Sequence, residues 1–145
     1  MQDTTELSET IFALMHSFKV QLRSVVRTHT HDINGMHVRT LRLIKREQPC
    51  TAQHISVGLN RDKGQIARLL QELISAGWIS KSPNPDDKRS QLLCLTQQGE
   101  DLIAFIAQEE KSIIETMTQG LSTDELKAFK NTANQLISNL NKNDN

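Results

Sequence analysis

Gln65 and Arg68 stand three residues apart in the run DKGQIARLLQELISAG, residues 62–77. An amide and a guanidinium at that spacing share one face of a helix. Each is a bidentate hydrogen-bonding group, glutamine matching the edge of adenine and arginine the edge of guanine in a major groove. Thr51, Gln53 and Lys63 offer a hydroxyl, an amide and an ammonium of the kind that holds phosphate oxygens, and Arg61 adds a permanent charge just ahead of the run. A second charged cluster, Asp87-Lys88-Arg89, lies in PNPDDKRS, where prolines keep the chain extended and charges keep it solvated.

These residues need elements to position them. At about 100° per residue, Ile66, Leu69, Leu70 and Leu73 form one stripe, with Arg61, Gln65, Arg68, Gln71 and Ser75 opposite. The pattern predicts a helix with one side for a core and one for a polar partner. Asp62 is placed to cap it, Gln65 to reach back in a capping-box-like start, and Gly77 to stop it. Residues 51–59 put Ala52, Ile55 and Leu59 on one face of a shorter helix, joined through Leu59, Asn60 and Arg61, so that the two form a helix-turn-helix. Residues 78–82 and 91–95 are short β-type runs flanking PNPDDKRS, a hairpin with an exposed charged tip. Such a hairpin directly after a helix-turn-helix makes a winged helix, whose second helix fits a major groove and whose tip fits the adjacent backbone or minor groove.

Long helices flank this unit. Leu7, Ile11, Leu14, Phe18, Leu22 and Val25 recur in steps of four and three over residues 5–29, with Met15 and Val26 widening the stripe. After a polar break, Asn34 is set to cap a helix over residues 36–46 that buries Val38, Leu41 and Ile44 and exposes Arg39, Arg42 and Lys45. Pro49 ends that segment, and Cys50-Thr51 is able to lend a third strand to the wing. Thr96 opens a helix to about residue 119, with Leu102, Ile103, Ile106, Ile113 and Met117 inward and Gly120 as its stop. Ser122-Thr123-Asp124-Glu125 is a capping box, and Leu121 with Leu126 has the spacing of a hydrophobic staple.

The fold class expected is therefore mainly α (α+β), a winged helix-turn-helix with long N- and C-terminal dimerisation helices. It forms a single domain over residues 1–145, with 1–33 and 97–145 as dimerisation helices and 34–96 as the DNA-binding unit. The terminal stripes pack together and on a second copy, which sets two recognition helices about 34 Å apart on a near-palindromic operator in double-stranded DNA. The alternative is a monomer whose stripes satisfy each other.

The net charge of zero hides a division: residues 1–18 carry −3, 19–92 carry +7 and 93–145 carry −4. The positive charge falls where the helix-turn-helix falls, which steers a polyanion to that face. No apolar run approaches the ~20 residues of a membrane span, and the start MQDTTELSE is acidic where a secretory signal is basic and then apolar. A cytoplasmic protein without a membrane partner is expected. Cys50 and Cys94 are isolated and read as small buried hydrophobes. No nucleophile–base pairing, phosphate loop or paired carboxylates point to an enzyme, and His16 and His54 read as ordinary surface or core residues.

From Ala76 to Gly99 the sequence AGWISKSPNPDDKRSQLLCLTQQG resembles the wing signature of the MarR (multiple-antibiotic-resistance regulator) family. In that signature a Gly-hydrophobic start leads through Pro and Asp to an Asp-x-Arg tip, here Asp87-Lys88-Arg89, and on to Leu-Thr, here Leu95-Thr96. The likeness extends back through TAQHISVGLNRDKGQIARLL. It implies a dimeric winged-helix transcription factor, usually a repressor, whose DNA affinity falls when a small molecule, oxidant or metal is sensed. It also implies that Arg89 enters the minor groove while Asp87 orients it through a salt bridge. Gly64 replaces the family's usual Ser or Thr, Ala67 a common Thr, and Arg61 a small apolar residue, so the operator sequence does not transfer from relatives.

For sensing, a peroxide mechanism through a first-helix cysteine with tyrosines is excluded, because no cysteine precedes Cys50 and there is no tyrosine. Cys94 as a thiol sensor stays open. So does zinc on His29, His31, Asp32 and His37 with Glu109 or Glu110, although no closed zinc motif is present and no resident metal or cofactor is assigned. A carboxylate- or phenol-like small-molecule effector near His29, His31 and His37 is the default, by family analogy. A winged-helix protein-interaction module is the alternative from another class, and the thirteen bases between Lys19 and Arg89 speak against it.

Overall fold

Side chains at the polar breaks decide where the helices begin. In the computed structural model, which describes residues 4–30 and 32–142, the order is α1 (Thr4–His29), α2 (Gly35–Arg46), α3 (Ala52–Leu59), α4 (Lys63–Ser75), β1 (Ile79–Pro83), β2 (Gln91–Leu95), α5 (Gln97–Met117) and α6 (Thr123–Asn141). Asn34 caps α2, its Oδ1 accepting from the His37 N–H at 3.0 Å. Ser122 caps α6 in a full box, its Oγ accepting from the Glu125 N–H at 3.1 Å while the Glu125 carboxylate accepts from the Ser122 N–H at 2.7 Å. The chain divides into two compact units, Met1–Glu110 and Lys111–Asn145.

The first unit contains the winged helix. Leu41 and Ile44 of α2, Ile55 of α3, Ile66 and Leu73 of α4, Leu93 of β2, and Leu102 and Ile106 of α5 are almost completely buried together. Hydrophobic burial of these side chains holds α2, α3, α4 and the start of α5 on one hairpin. The strands pair antiparallel, from Ile79 opposite Leu95 to Pro83 opposite Gln91. The third strand expected at Cys50-Thr51 reduces to one bridge, with the Leu93 N–H donating to the Cys50 carbonyl at 2.8 Å.

β1 begins one residue later than the hydrophobic pattern predicts, and the end of α4 gives the reason. The Trp78 N–H closes on the Leu73 carbonyl at 3.1 Å and the Gly77 N–H on Ile74 at 2.9 Å, a Schellman stop with Gly77 at φ +79°. Gly99 then allows the first turn of α5 to lie directly on the wing: a Cβ there would sit 2.1 Å from the Trp78 carbonyl oxygen. Thr96 locks the same corner, its Oγ1 donating to the Gly77 carbonyl at 2.6 Å and accepting from the Gly99 N–H at 3.1 Å.

The long helices are less covered than the sequence pattern suggests. In α1 Val26 is buried and Leu22 and Val25 are half-buried, but Leu7, Ile11, Phe12, Leu14 and Met15 are exposed. The inward stripe expected for α5 is buried only at Leu102, Ile103 and Ile106; Ile113 is half-buried and Met117 is exposed. In α6 no described residue is buried, and Phe129, Leu136, Ile137 and Leu140 are exposed, as is Leu121 of the expected staple. No helix among the described residues is long and apolar enough to cross a membrane.

Candidate nucleic-acid interface

The turn between α3 and α4 is held by its own backbone. Asn60 adopts the left-handed conformation at φ +50°, the Arg61 N–H donates to the Ser56 carbonyl at 3.1 Å, and the Ser56 hydroxyl donates to the Arg61 carbonyl at 2.6 Å. Lys63 is the first residue of α4, and the Asp62 carboxylate accepts from the Gln65 N–H at 2.9 Å. The return bond expected from the Gln65 side chain is not formed, which leaves that amide uncommitted. Arg61, Gln65 and Arg68 are all exposed, and with Leu69 and Glu72 they line one cleft of about 330 Å³.

At the start of α3, Thr51 is half-buried and Gln53 exposed. The Thr51 N–H donates to His54 Nδ1 at 3.0 Å, which in the neutral ring puts the proton on Nε2. His54, expected as an ordinary surface or core residue, is exposed and held at the helix start by this cap bond. The signal was present in the sequence: a side-chain acceptor three residues after a Thr N-cap.

The wing tip is shaped by short side chains bonding to nearby backbone. Asn84 Oδ1 accepts from the Asp86 N–H at 3.0 Å, Asn84 Nδ2 donates to Ser90 Oγ at 3.0 Å, and Asp87 Oδ1 accepts from the Arg89 N–H at 2.9 Å. This corrects the role expected of Asp87. Its carboxylate engages the backbone amide of Arg89, and among the described residues no ion pair joins it to the guanidinium. Two residues of separation place an Asp oxygen naturally over that N–H, and the turn so formed carries Arg89 outward. Asp87, Lys88 and Arg89 are all exposed.

The cations divide into two sets. Arg42 pairs with Glu110 at 2.6 Å, Lys45 with Glu100 at 2.7 Å and Arg46 with Glu47 at 3.1 Å. Among the described residues no ion pair reaches Arg61, Lys63, Arg68, Lys81, Lys88 or Arg89. The cations of α4, of the turn before it and of the wing are thus without an ion pair, as are Lys19, Arg23 and Arg27 of α1, Arg39 of α2 and Lys127 and Lys130 of α6 among the described residues.

Of the histidines expected at an effector or metal site, the structure describes His29 and His37, and each is engaged within the fold. His29 stacks on Phe105 with ring centroids 4.4 Å apart. His37 is buried; its Nδ1 accepts from the Asn34 N–H at 3.2 Å and its Nε2 lies 2.8 Å from Glu72 Oε2, so both nitrogens are engaged. His31 lies outside the described residues. The described residues hold no group of three His, Cys, Asp or Glu able to ligate a metal, and Glu110 is taken by Arg42. Neither His29 nor His37 lines the larger cleft, about 510 Å³, whose wall includes Lys19, Arg23 and Arg27 of α1 with Leu22, Val26 and Ile106. Those three cations recur every fourth residue, a spacing legible in the sequence that puts them on one helix face.

The cysteines also separate. Burial pushes the Cys50 thiol up to about 11, with Glu47 and then Cys94 adding to the effect, so it stays protonated at neutral pH. Cys94, expected to be buried, is exposed, with Sγ 3.8 Å from Gln48 Oε1.

Residues 31–90 match the family model of the MarR family. The multiple antibiotic resistance protein MarR of Salmonella typhimurium is 30% identical over 96 residues, which cover 66% of this chain and 67% of that protein. The solved structure of a mutant MarR from E. coli complexed with operator DNA superposes with a TM-score of 0.74 at 24% identity, covering 90% of this chain and 93% of that one. A mutant MepR from S. aureus gives a TM-score of 0.76 at 21% identity over 92% and 97% of the two chains. At this level of identity over two thirds of the relative, with the family model lying on the helix-turn-helix and most of the wing, the chain belongs to the MarR family.

Proposed function

We propose that the protein is a dimeric, sequence-specific DNA-binding transcriptional regulator, a repressor released by a small-molecule effector. One observation carries this reading: Gln65 and Arg68 are exposed on a capped helix, and among the described residues no ion pair reaches Arg68 or the neighbouring Arg61 and Lys63. In this arrangement α4 enters the major groove, where Gln65 and Arg68 meet base edges. Thr51, Gln53, Arg61 and Lys63 hold phosphate, and Arg89, on the turn built by Asp87 and beside Lys88, reaches the minor groove. The relative solved with operator DNA supports the assignment.

The exposed apolar faces of α1 and α6 support residues 1–33 and 97–145 as dimerisation helices, each suited to burial on a second copy. Lys19, Arg23 and Arg27 beside the apolar Leu22, Val26 and Ile106 suit an anionic effector with an apolar body, at a cleft that neither His29 nor His37 lines. The test is selection of bound sequences from a random duplex pool at a stated low salt concentration. A near-palindromic consensus is expected. A protein that retains no duplex under those conditions would be a winged helix serving a protein partner instead.

A further inference from the structure

Arg68 and Glu72 lie four residues apart on α4 and line the same cleft. Opposite charges at that spacing are surface neighbours, and their ordinary fate is to pair. Here they do not: Glu72 Oε2 sits 2.8 Å from His37 Nε2, and among the described residues Arg68 has no ion pair. Resting on the reading of α4 as the recognition helix, we propose that His37 is a positioning residue that keeps Arg68 available to DNA by holding Glu72 away from it.

The physical basis is an asymmetry of need. The His37 ring has little freedom, being 8% exposed at its side chain and set edge-on to Trp78 with centroids 6.0 Å apart. Its Nδ1 accepts from the Asn34 N–H that opens α2, so in the neutral ring the proton sits on Nε2. A buried N–H without an acceptor is costly, whereas an exposed guanidinium finds water in place of a carboxylate. Glu72, half-exposed, satisfies the group that cannot do without it. The carboxylate is thereby drawn toward α2, and Arg68 approaches a base edge without first breaking an ion pair. His37 touches no DNA in this scheme; it acts through Glu72 on Arg68.

The test is a double-mutant cycle on operator affinity at fixed low salt, with Arg68→Ala as reference. His37→Asn keeps an acceptor near the Nδ1 position for the cap and removes the Nε2 donor. It is expected to weaken binding about three- to fivefold, the scale of one exposed ion pair broken on each of two copies. Glu72→Gln binds at least as tightly as the parent, and in that background His37→Asn no longer costs affinity. His37→Phe, which keeps ring volume against Trp78, gives the same comparison if circular dichroism shows the Asn variant unfolded.

A purely structural role for His37 leaves the double variant as weak as the single one, and that result overturns the proposal. So does weaker binding by Glu72→Gln alone. Parent and His37→Asn binding alike while Arg68→Ala fails overturns this inference only. A parent that binds no duplex overturns the DNA reading and this inference with it.

Discussion

α2 and α4 follow one amphipathic plan in sequence. They have 12 and 13 residues, each starts behind an Asn or Asp cap, and each carries bases outward of an apolar stripe. Their charges meet different ends. α5 sets Glu110 and Glu100 against Arg42 and Lys45, which makes two of the outer bases of α2 into ties between helices. Among the described residues no acid from another element pairs with a base of α4, whose one carboxylate, Glu72, is turned to His37. A stretch of positive charge in the sequence is thus an upper bound on the field a ligand meets. What decides is whether the next element brings acids to the same face.

The largest test of this contrast is Arg68→Ala. At about 1–3 kcal/mol per bidentate base contact, the loss is roughly tenfold or more per copy, and repeated selection should return a consensus relaxed at one position in each half-site. Arg89→Ala is expected to weaken binding by a smaller factor without changing the consensus, and to flatten the slope of log affinity against log salt by about one per contact removed. Titration by fluorescence anisotropy at several salt concentrations reads both. Arg42→Ala is the counterpart on α2: operator affinity stays at the parent value, and thermal unfolding registers ~0.5 kcal/mol or less, since the pair is half-exposed and screened. An Arg42→Ala variant that loses as much DNA affinity as Arg68→Ala would erase the distinction between the two helices.

How far the sequence discloses this arrangement depends on how local each interaction is. Asn34, Asp62, Gly77 and Ser122 act within a few residues, so the helix ends are legible from cap chemistry, and β2 falls on its predicted span. Asp87 shows the limit even at short range. The residue pair was legible, but whether the carboxylate would take the amide or the guanidinium of Arg89 depended on the turn. Arg42–Glu110 and His37–Glu72 join residues 68 and 35 positions apart, and no periodicity announces such partners. His37 looked like a loop ligand for that reason; packing made it a buried link between two helices.

The smallest effect concerns an acid that no cation serves. Glu125 is fully exposed, and its carboxyl is held below the ordinary glutamate range by hydrogen bonds from the backbone and side chain of Ser122 at the start of α6. Because the folded value is the lower one, the contribution to stability is present above the unfolded glutamate value. It is lost as pH falls through that value toward the folded one. Ser122→Ala should therefore unfold more easily than the parent at neutral pH and differ less from it in acid, as read by thermal melts across that window. Salt separates this acid from those of α5. The Glu110 and Glu100 pairs weaken as ionic strength rises, whereas a carboxylate bonded to a helix start keeps most of its hydrogen-bond contribution. Equal salt sensitivity of the Ser122→Ala and Arg42→Ala differences would show that the α6 cap, too, acts chiefly as a screened charge.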